Sequence, residues 1–401
     1  MPELAARAGR AQVAATVQMT IKARAMRAER IDVLALTVGE PDFASPPHAI
    51  EAAYRAALAG ETKYPPQDGT PALKRAVQAK FQRDSGLDYA LDEIMVANGG
   101  KQVIFNAFMA TLNEGDEVVI PSPAWSAYAL LTQMLGGVAV PVRCPENNGF
   151  RLRPEDLAAS ITPRTKWLVL NFPNNPTGAA CSRAEMAAIG QVMRQHPHVW
   201  ILCDDMYEHL LYDGFDYGTM AAVDPALRDR TLTLSGVSKT YAMTGWRIGF
   251  CGGPRDLIRA MVKMQGQATA GVSSVGQAAA VAALEGPQNG VAERRAIYQR
   301  RRDLVVDALN TAPGITCHRP EGAFYVYPNI AGCLGRTTKA GKRLTTDEDF
   351  ALALLEERHV AVVHGAAFGM SPYLRISYAT DDATLTEACR RIVRFCEDFA
   401  V

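Results

Sequence analysis

The segment Gly236-Val237-Ser238-Lys239-Thr240-Tyr241-Ala242-Met243-Thr244-Gly245-Trp246-Arg247-Ile248-Gly249 carries more chemistry than any other in this chain. A small residue, Ser238, precedes a lysine, and an arginine follows eight positions later between glycines. A lysine flanked in this way can form a Schiff base with a carbonyl cofactor, and the arginine can hold that cofactor's phosphate. The plain alternative is a surface lysine beside a tight turn.

Around this segment, from about residue 90 to 252, short β-rich runs alternate with helical ones. Strands are expected at Ile94–Ala97, Glu117–Ile120, Val138–Val142, Trp167–Leu170, Val199–Cys203, Thr231–Leu234 and Ile248–Cys251. Several are almost continuously apolar, as strands covered on both faces are. Helical patterns fill the gaps at Lys101–Leu112, Ser122–Leu135 and Arg183–Gln195. The alternation predicts an α/β fold with a mostly parallel seven-stranded sheet between helices, its ligand outside the carboxyl ends of the strands. After residue 290 the pattern changes. A charged helix from Val291 to about Leu309 leads to strands at Ala323–Tyr327, Val360–His364 and Tyr373–Ser377 and helices at Phe350–Arg358 and Ala383–Phe399. We expect a large domain over 49–290 and a small α+β domain over 291–401, joined by the N-terminal segment 1–48. The polar stretch Gly335–Thr346 is the best candidate for a mobile loop.

Composition narrows the function classes. The chain has 401 residues, 48% apolar and 21% charged, with a formal net charge of zero. At roughly 100–200 residues per domain this suits two domains. No basic patch points to nucleic acid, and no apolar run is long enough to span a bilayer. The start, Met1-Pro2-Glu3-Leu4, lacks the layout of a signal peptide, and the eight scattered cysteines read as reduced and mostly buried. A soluble, cytoplasmic protein is expected. His196-Pro197-His198 has no third metal ligand at suitable spacing. No nucleophile elbow, phosphate-binding P-loop or dinucleotide fingerprint occurs.

Position for position, the segment around Lys239 resembles the pyridoxal-phosphate attachment site of the class I aminotransferases, and the resemblance extends from about Thr16 to Phe395. It implies fold-type I architecture, pyridoxal 5'-phosphate as cofactor and Lys239 as the residue that holds it and then acts as base. Asp204-Asp205-Met206-Tyr207 follows a predicted strand; read alone, the pair is more often a helix cap. The family's aspartate stands three before a tyrosine. That selects Asp204 for the ring nitrogen and Tyr207 for the ring oxygen. Asn171-Phe172-Pro173-Asn174-Asn175-Pro176-Thr177-Gly178, otherwise a turn, matches the signature in which Asn175 contacts the ring oxygen and the substrate carboxylate. Gly99-Gly100-Lys101 opens a helix whose N-terminus suits a phosphate, with Arg247 adding charge-assisted bonds. Trp125 matches the aromatic stacked on the pyridine ring. Tyr64 matches the tyrosine that reaches the neighbouring subunit's phosphate, which implies a homodimer with shared active sites. Gly236 departs from a subgroup that carries a phosphate-binding serine there.

On the substrate side, a lone arginine buried in the apolar run Tyr373–Tyr378 would be costly without an anion, and the resemblance gives Arg375 the substrate α-carboxylate. Gly39 matches the glycine lying against the substrate. The bacterial subgroup of aspartate and aspartate/prephenate aminotransferases carries a lysine at the position of Lys101 that pairs with a distal carboxylate. Thr16 also matches that subgroup. Gln12 and Ala14 replace its lysine and serine, and Ala124 replaces its tyrosine before the tryptophan. The expected reaction moves an amino group from aspartate or another dicarboxylic donor to a 2-oxo acid such as 2-oxoglutarate, by ping-pong kinetics. Neutral or aromatic donors, a lyase on the same fold, or a non-catalytic regulator are the alternatives. The full set of Lys239, Asp204, Tyr207, Asn175 and Arg375 argues against the regulator.

Overall fold

The computed structural model describes residues 2–11 and 13–399. Numbered in chain order, a short strand β1 (Leu34–Ala35) precedes the strands of the large sheet: β2 (Ile94–Ala97), β3 (Glu117–Ser122), β4 (Val138–Arg143), β5 (Thr165–Asn171), β6 (Trp200–Asp204), β7 (Thr231–Gly236) and β8 (Gly249–Gly252). Their order is β2-β8-β7-β6-β5-β3-β4. Strands β3 to β7 pair in parallel, and β8 runs antiparallel to both of its neighbours. Every strand expected in this region forms, within a few residues at each end. Their apolar continuity has a direct cause. In β2, Met95 and Ala97 enter one core with Phe108 and Met261, whereas Ile94 and Val96 enter another with Phe81 and Ala279. Successive side chains point to opposite faces, and helices cover both.

This topology brings the chemistry-bearing loops to one edge. Gly99-Gly100 follow β2, Trp125 follows β3, Asn175 follows β5, Tyr207 follows β6 and Lys239 follows β7. Arg247 precedes β8, whose reversed direction puts its start at the same edge. Helix Arg183–Arg194 is held at its start by a reciprocal cap: Glu185 N–H donates to Ser182 Oγ at 3.3 Å and Ser182 N–H donates to Glu185 Oε2 at 2.8 Å. A cap of this kind contributes about 1 kcal/mol.

Three expectations change in detail. The helix expected over Ser122–Leu135 is confined to Ala127–Met134, because Ser122 still belongs to β3 and Pro123 follows it. Past β9 (Tyr325–Val326), the single run Val360–His364 divides into β10 (Val360–Ala361) and β11 (Val363–His364). β10 pairs in parallel with β1, and β11 pairs antiparallel with β12 (Leu374–Ser377). Val360 to Val363 are all buried, so the apolar run itself does not mark the change of sheet. The stretch 335–346 holds a hairpin in which Gly335 N–H donates to Leu344 O at 2.7 Å and Leu344 is buried. Its polarity gave no sign of these backbone bonds. All eight cysteines are free and buried. Among the described residues no helix is long and apolar enough to cross a membrane.

Candidate active site

A cavity of about 530 Å³ opens at the carboxyl edge of the sheet. Ten of the residues singled out from sequence line it: Gly39, Gly100, Lys101, Trp125, Asn175, Asp204, Tyr207, Lys239, Arg247 and Arg375. Gly99 lies immediately behind. Its φ is 85°, and a Cβ there would overlap the Arg247 guanidinium, so the glycine lets arginine and backbone close together. Tyr64 stands apart, 93% exposed on the surface.

Lys239 is half-buried, and its Nζ donates to Gly39 O at 2.5 Å. Burial brings its pKa from 10.5 to about 8; the nearby Arg375 and Arg247 push the same way, while Glu40 and Asp204 oppose. That preference for the neutral amine corresponds to roughly 3 kcal/mol. Among the described residues, Asp204 is the one carboxylate lining the cavity. Burial raises it to about 6, against a hydrogen bond from Tyr128 Oη at 2.7 Å and one from Met206 N–H at 3.3 Å. Asp205 turns away and accepts from Tyr217 Oη at 2.5 Å. The alternation of a strand end separates the two aspartates.

Arg375 spans the far wall. Its Nη1 donates to Asn175 Oδ1 at 3.1 Å, its Nη2 donates to Thr37 O, and its guanidinium lies 4.8 Å from the Tyr325 ring. Its Nε is buried with no partner among the described residues. Tyr207 Oη and Tyr325 Oη share a hydrogen bond at 2.9 Å, and burial pushes the Tyr207 hydroxyl well above its ordinary pKa, which keeps its proton available. Lys101 Nζ sits 5.1 Å from the Trp125 ring. Its pKa is lowered, first by burial and then by the charge of Arg247.

These residues fit pyridoxal phosphate. The cofactor needs a lysine, an anion for the ring nitrogen, a donor for the ring oxygen and a phosphate cradle. Asp204 is a buried carboxylate with no cation bonded to it, as a protonated ring nitrogen would require. Gly100 opens helix Gly100–Thr111. Gly99 and Gly100 bring bare backbone to that helix start beside Arg247, where free N–H groups suit a phosphate.

Sequence reasoning missed Tyr128, Asn171, Ser238 and Tyr325, all of which line the cavity. Asn171 joins two loops: its Nδ2 donates to Asp204 O at 3.0 Å and its Oδ1 accepts from Asn175 N–H at 3.0 Å. Tyr128 was within reach, one helical turn past Trp125. Tyr325 was not, because it arrives from a distant strand. Gln12, one of the two N-terminal departures, lies outside the described residues, as does the side chain of Thr16. Ala14 caps helix Ala15–Ala28. Ala124 is buried, its N–H donating to Phe368 O at 3.0 Å.

Known proteins share this arrangement. Residues 31–392 match the family described as aminotransferase class I and II. The chain is 55% identical, over 95% of each chain, to the aspartate/prephenate aminotransferase of Cereibacter sphaeroides. It is 54% identical to an aspartate aminotransferase of Rhizobium meliloti, covering 96% of this chain and 94% of that one. A crystal structure of the aspartate aminotransferase from Rhizobium meliloti superposes with a TM-score of 0.97 at 52% identity over the whole of both chains. That of Thermus thermophilus, solved with maleate, gives 0.92 at 39% identity over 98% of this chain and all of that one.

The Lys239 environment makes a pH prediction. Only the neutral amine attacks an aldehyde. The rate at which the protein stripped of cofactor recaptures pyridoxal phosphate through Lys239 should therefore climb with pH and level off just above 8. A climb continuing to pH 10 would mean that the amine is not desolvated.

Proposed function

We propose that this chain, which belongs to the pyridoxal-phosphate-dependent aminotransferases of classes I and II, takes its amino group from aspartate and delivers it to a 2-oxo acid such as 2-oxoglutarate. When bound, the cofactor supplies an electron-accepting ring conjugated to the substrate nitrogen. The remaining work falls to side chains. The observation that carries the reading is one cavity that, among the described residues, holds a half-buried amine of lowered pKa, Lys239, one carboxylate, Asp204, and an arginine, Arg375, with a buried N–H unused.

Arg375 binds the substrate α-carboxylate. Its bonds to Asn175 and Thr37 fix the guanidinium plane and leave Nε to donate. Asn175 keeps its amide N–H group for the same carboxylate and the ring oxygen. Tyr207 donates to that oxygen, steadied by Tyr325. Asp204 holds the proton on the ring nitrogen, with Tyr128 orienting it. Gly99, Gly100 and Arg247 would take the phosphate, Trp125 would offer its face to the ring, and Gly39 leaves room for the substrate beside Tyr325. The neutral amine of Lys239 lifts the proton from substrate Cα and returns it at cofactor carbon C4′. With a pKa of about 8, roughly a quarter of it is neutral at pH 7.5, against about a thousandth at the ordinary lysine value. Burial thus makes it a usable base.

Lys101 is the reason for choosing aspartate. Lining the same cavity as Arg375 and open to it, Lys101 gives a second carboxylate a partner. A charge-assisted contact of this kind contributes roughly 1.5–3 kcal/mol. Lys101→Met should lower kcat/KM for aspartate about ten- to a hundredfold and leave alanine and phenylalanine within about threefold. Equal losses for acidic and neutral donors would assign Lys101 to the phosphate instead.

We further infer a homodimer. Tyr64 is exposed, and so are Ile50, Tyr54 and Leu58 on the preceding helix Pro47–Leu58. An apolar face of this kind suits a two-fold partner, whose phosphate Tyr64 would reach. The pairing of β1 with β10 also supports grouping segment 1–48 with a C-terminal domain over 291–401, apart from the cofactor domain over 49–290. Mixing Tyr64→Ala with Lys239→Ala chains should yield more activity than the two variants separately, because a mixed dimer regains one whole site. Activity that merely adds would overturn the shared site.

A further inference from the structure

The cavity carries more positive charge than the proposed reaction uses. Its lining includes five cations, Arg24, Lys101, Lys239, Arg247 and Arg375, and one carboxylate, Asp204. On the reading above, Arg247 serves the phosphate, Lys239 the cofactor carbon and proton, Arg375 the α-carboxylate and Lys101 the side-chain carboxylate of aspartate. Arg24 is left over. Among the described residues it makes no ion pair or hydrogen bond.

Its position is built rather than incidental. Val17, Thr20, Ile21 and Arg24 all line the cavity. On helix Ala15–Ala28 they fall at i, i+3, i+4 and i+7, one face of the helix. Thr20 Oγ1 lies 3.1 Å from Thr37 Oγ1, and Thr37 O is the acceptor of Arg375 Nη2. That face is therefore tied to the α-carboxylate anchor. Arg24 sits one turn beyond Thr20, about 6 Å along the helix axis. The surface between is apolar and open: Val17 is 46% exposed, Ile21 59% and Val38 41%. An apolar rim ending in an unpaired guanidinium is not what aspartate requires, whose side chain is a single methylene and a carboxylate.

We propose that Arg24 is a second anchor for the distal anion of the substrate, selecting dicarboxylic amino and 2-oxo acids longer than aspartate. Val17, Ile21 and Val38 accompany their added methylenes. The inference rests on Arg375 holding the α-carboxylate; it does not need Lys101 to hold aspartate's.

The test is a chain-length series on the cofactor-loaded enzyme. Succinate, glutarate, adipate and pimelate are titrated calorimetrically as unreactive mimics. Arg24→Met keeps an apolar stem and removes the charge at an exposed position. It should weaken adipate and pimelate about tenfold and leave succinate within about twofold, with an unchanged melting temperature. Arg24→Lys should restore part of the loss. A uniform change across the series, or none, would overturn the proposal and leave Arg24 a solvated cation. Lys101→Met, run in parallel, should weaken succinate. If it does not, the aspartate reading fails while the longer acids still judge Arg24.

Discussion

Placing an amine and a carboxylate in one cavity, without letting them bond to each other, is the constraint on which this molecule depends. Lys239 bonds to a backbone carbonyl, Gly39 O, and Asp204 to Tyr128 and a backbone N–H. Each has lost much of its water, and neither gains a full countercharge. Burial therefore pulls the lysine down to about 8 and lifts the aspartate to about 6. A direct ion pair would have reversed both shifts and removed the base. The arginines on either side, Arg247 and Arg375, add to the lysine's preference for neutrality. The same charges proposed to receive phosphate and carboxylate thus also tune the amine proposed as base.

Holding those groups apart needs a rigid frame, and the sheet edge provides it. Asp204 ends β6, and its backbone carbonyl accepts from Asn171 at the end of β5. Asn171 in turn accepts from Asn175, which accepts from Arg375 on β12. One chain of hydrogen bonds runs from the Asp204 backbone through Asn171 and Asn175 to the Arg375 guanidinium. β12 and β1 lie outside the large sheet, yet Arg375 and Thr37 reach the cavity, so the substrate side depends on how the outer elements sit against the sheet.

Most of this was legible in sequence because it is local. Strands buried on both faces read as apolar runs, and the loops behind them carry glycine, asparagine, aspartate and lysine at fixed offsets. The motif around Lys239 places that lysine and Arg247 within nine residues, and ten of the twelve residues chosen from sequence line one cavity. The missing part is non-local. Tyr325 meets Tyr207 from 118 positions away. The division of Val360–His364 between two sheets leaves no trace in an unbroken apolar run. Arg24 and its helical face could be read as an ordinary amphipathic surface until the cavity appeared beneath it. The spacing to Tyr207 selects Asp204 over Asp205, and in the fold the two differ in the side of the strand end they occupy.

The most direct measurement follows the substrate Cα proton itself. Wild-type and Lys239→Ala enzyme, both loaded with cofactor, are incubated with aspartate in deuterium oxide, and loss of the Cα proton signal is read by NMR. If the Lys239 amine is the base, exchange in the variant falls by about a hundredfold or more, and a small added amine restores part of it. Exchange at close to the wild-type rate without that amine would contradict the account, because some other group would then be moving the proton.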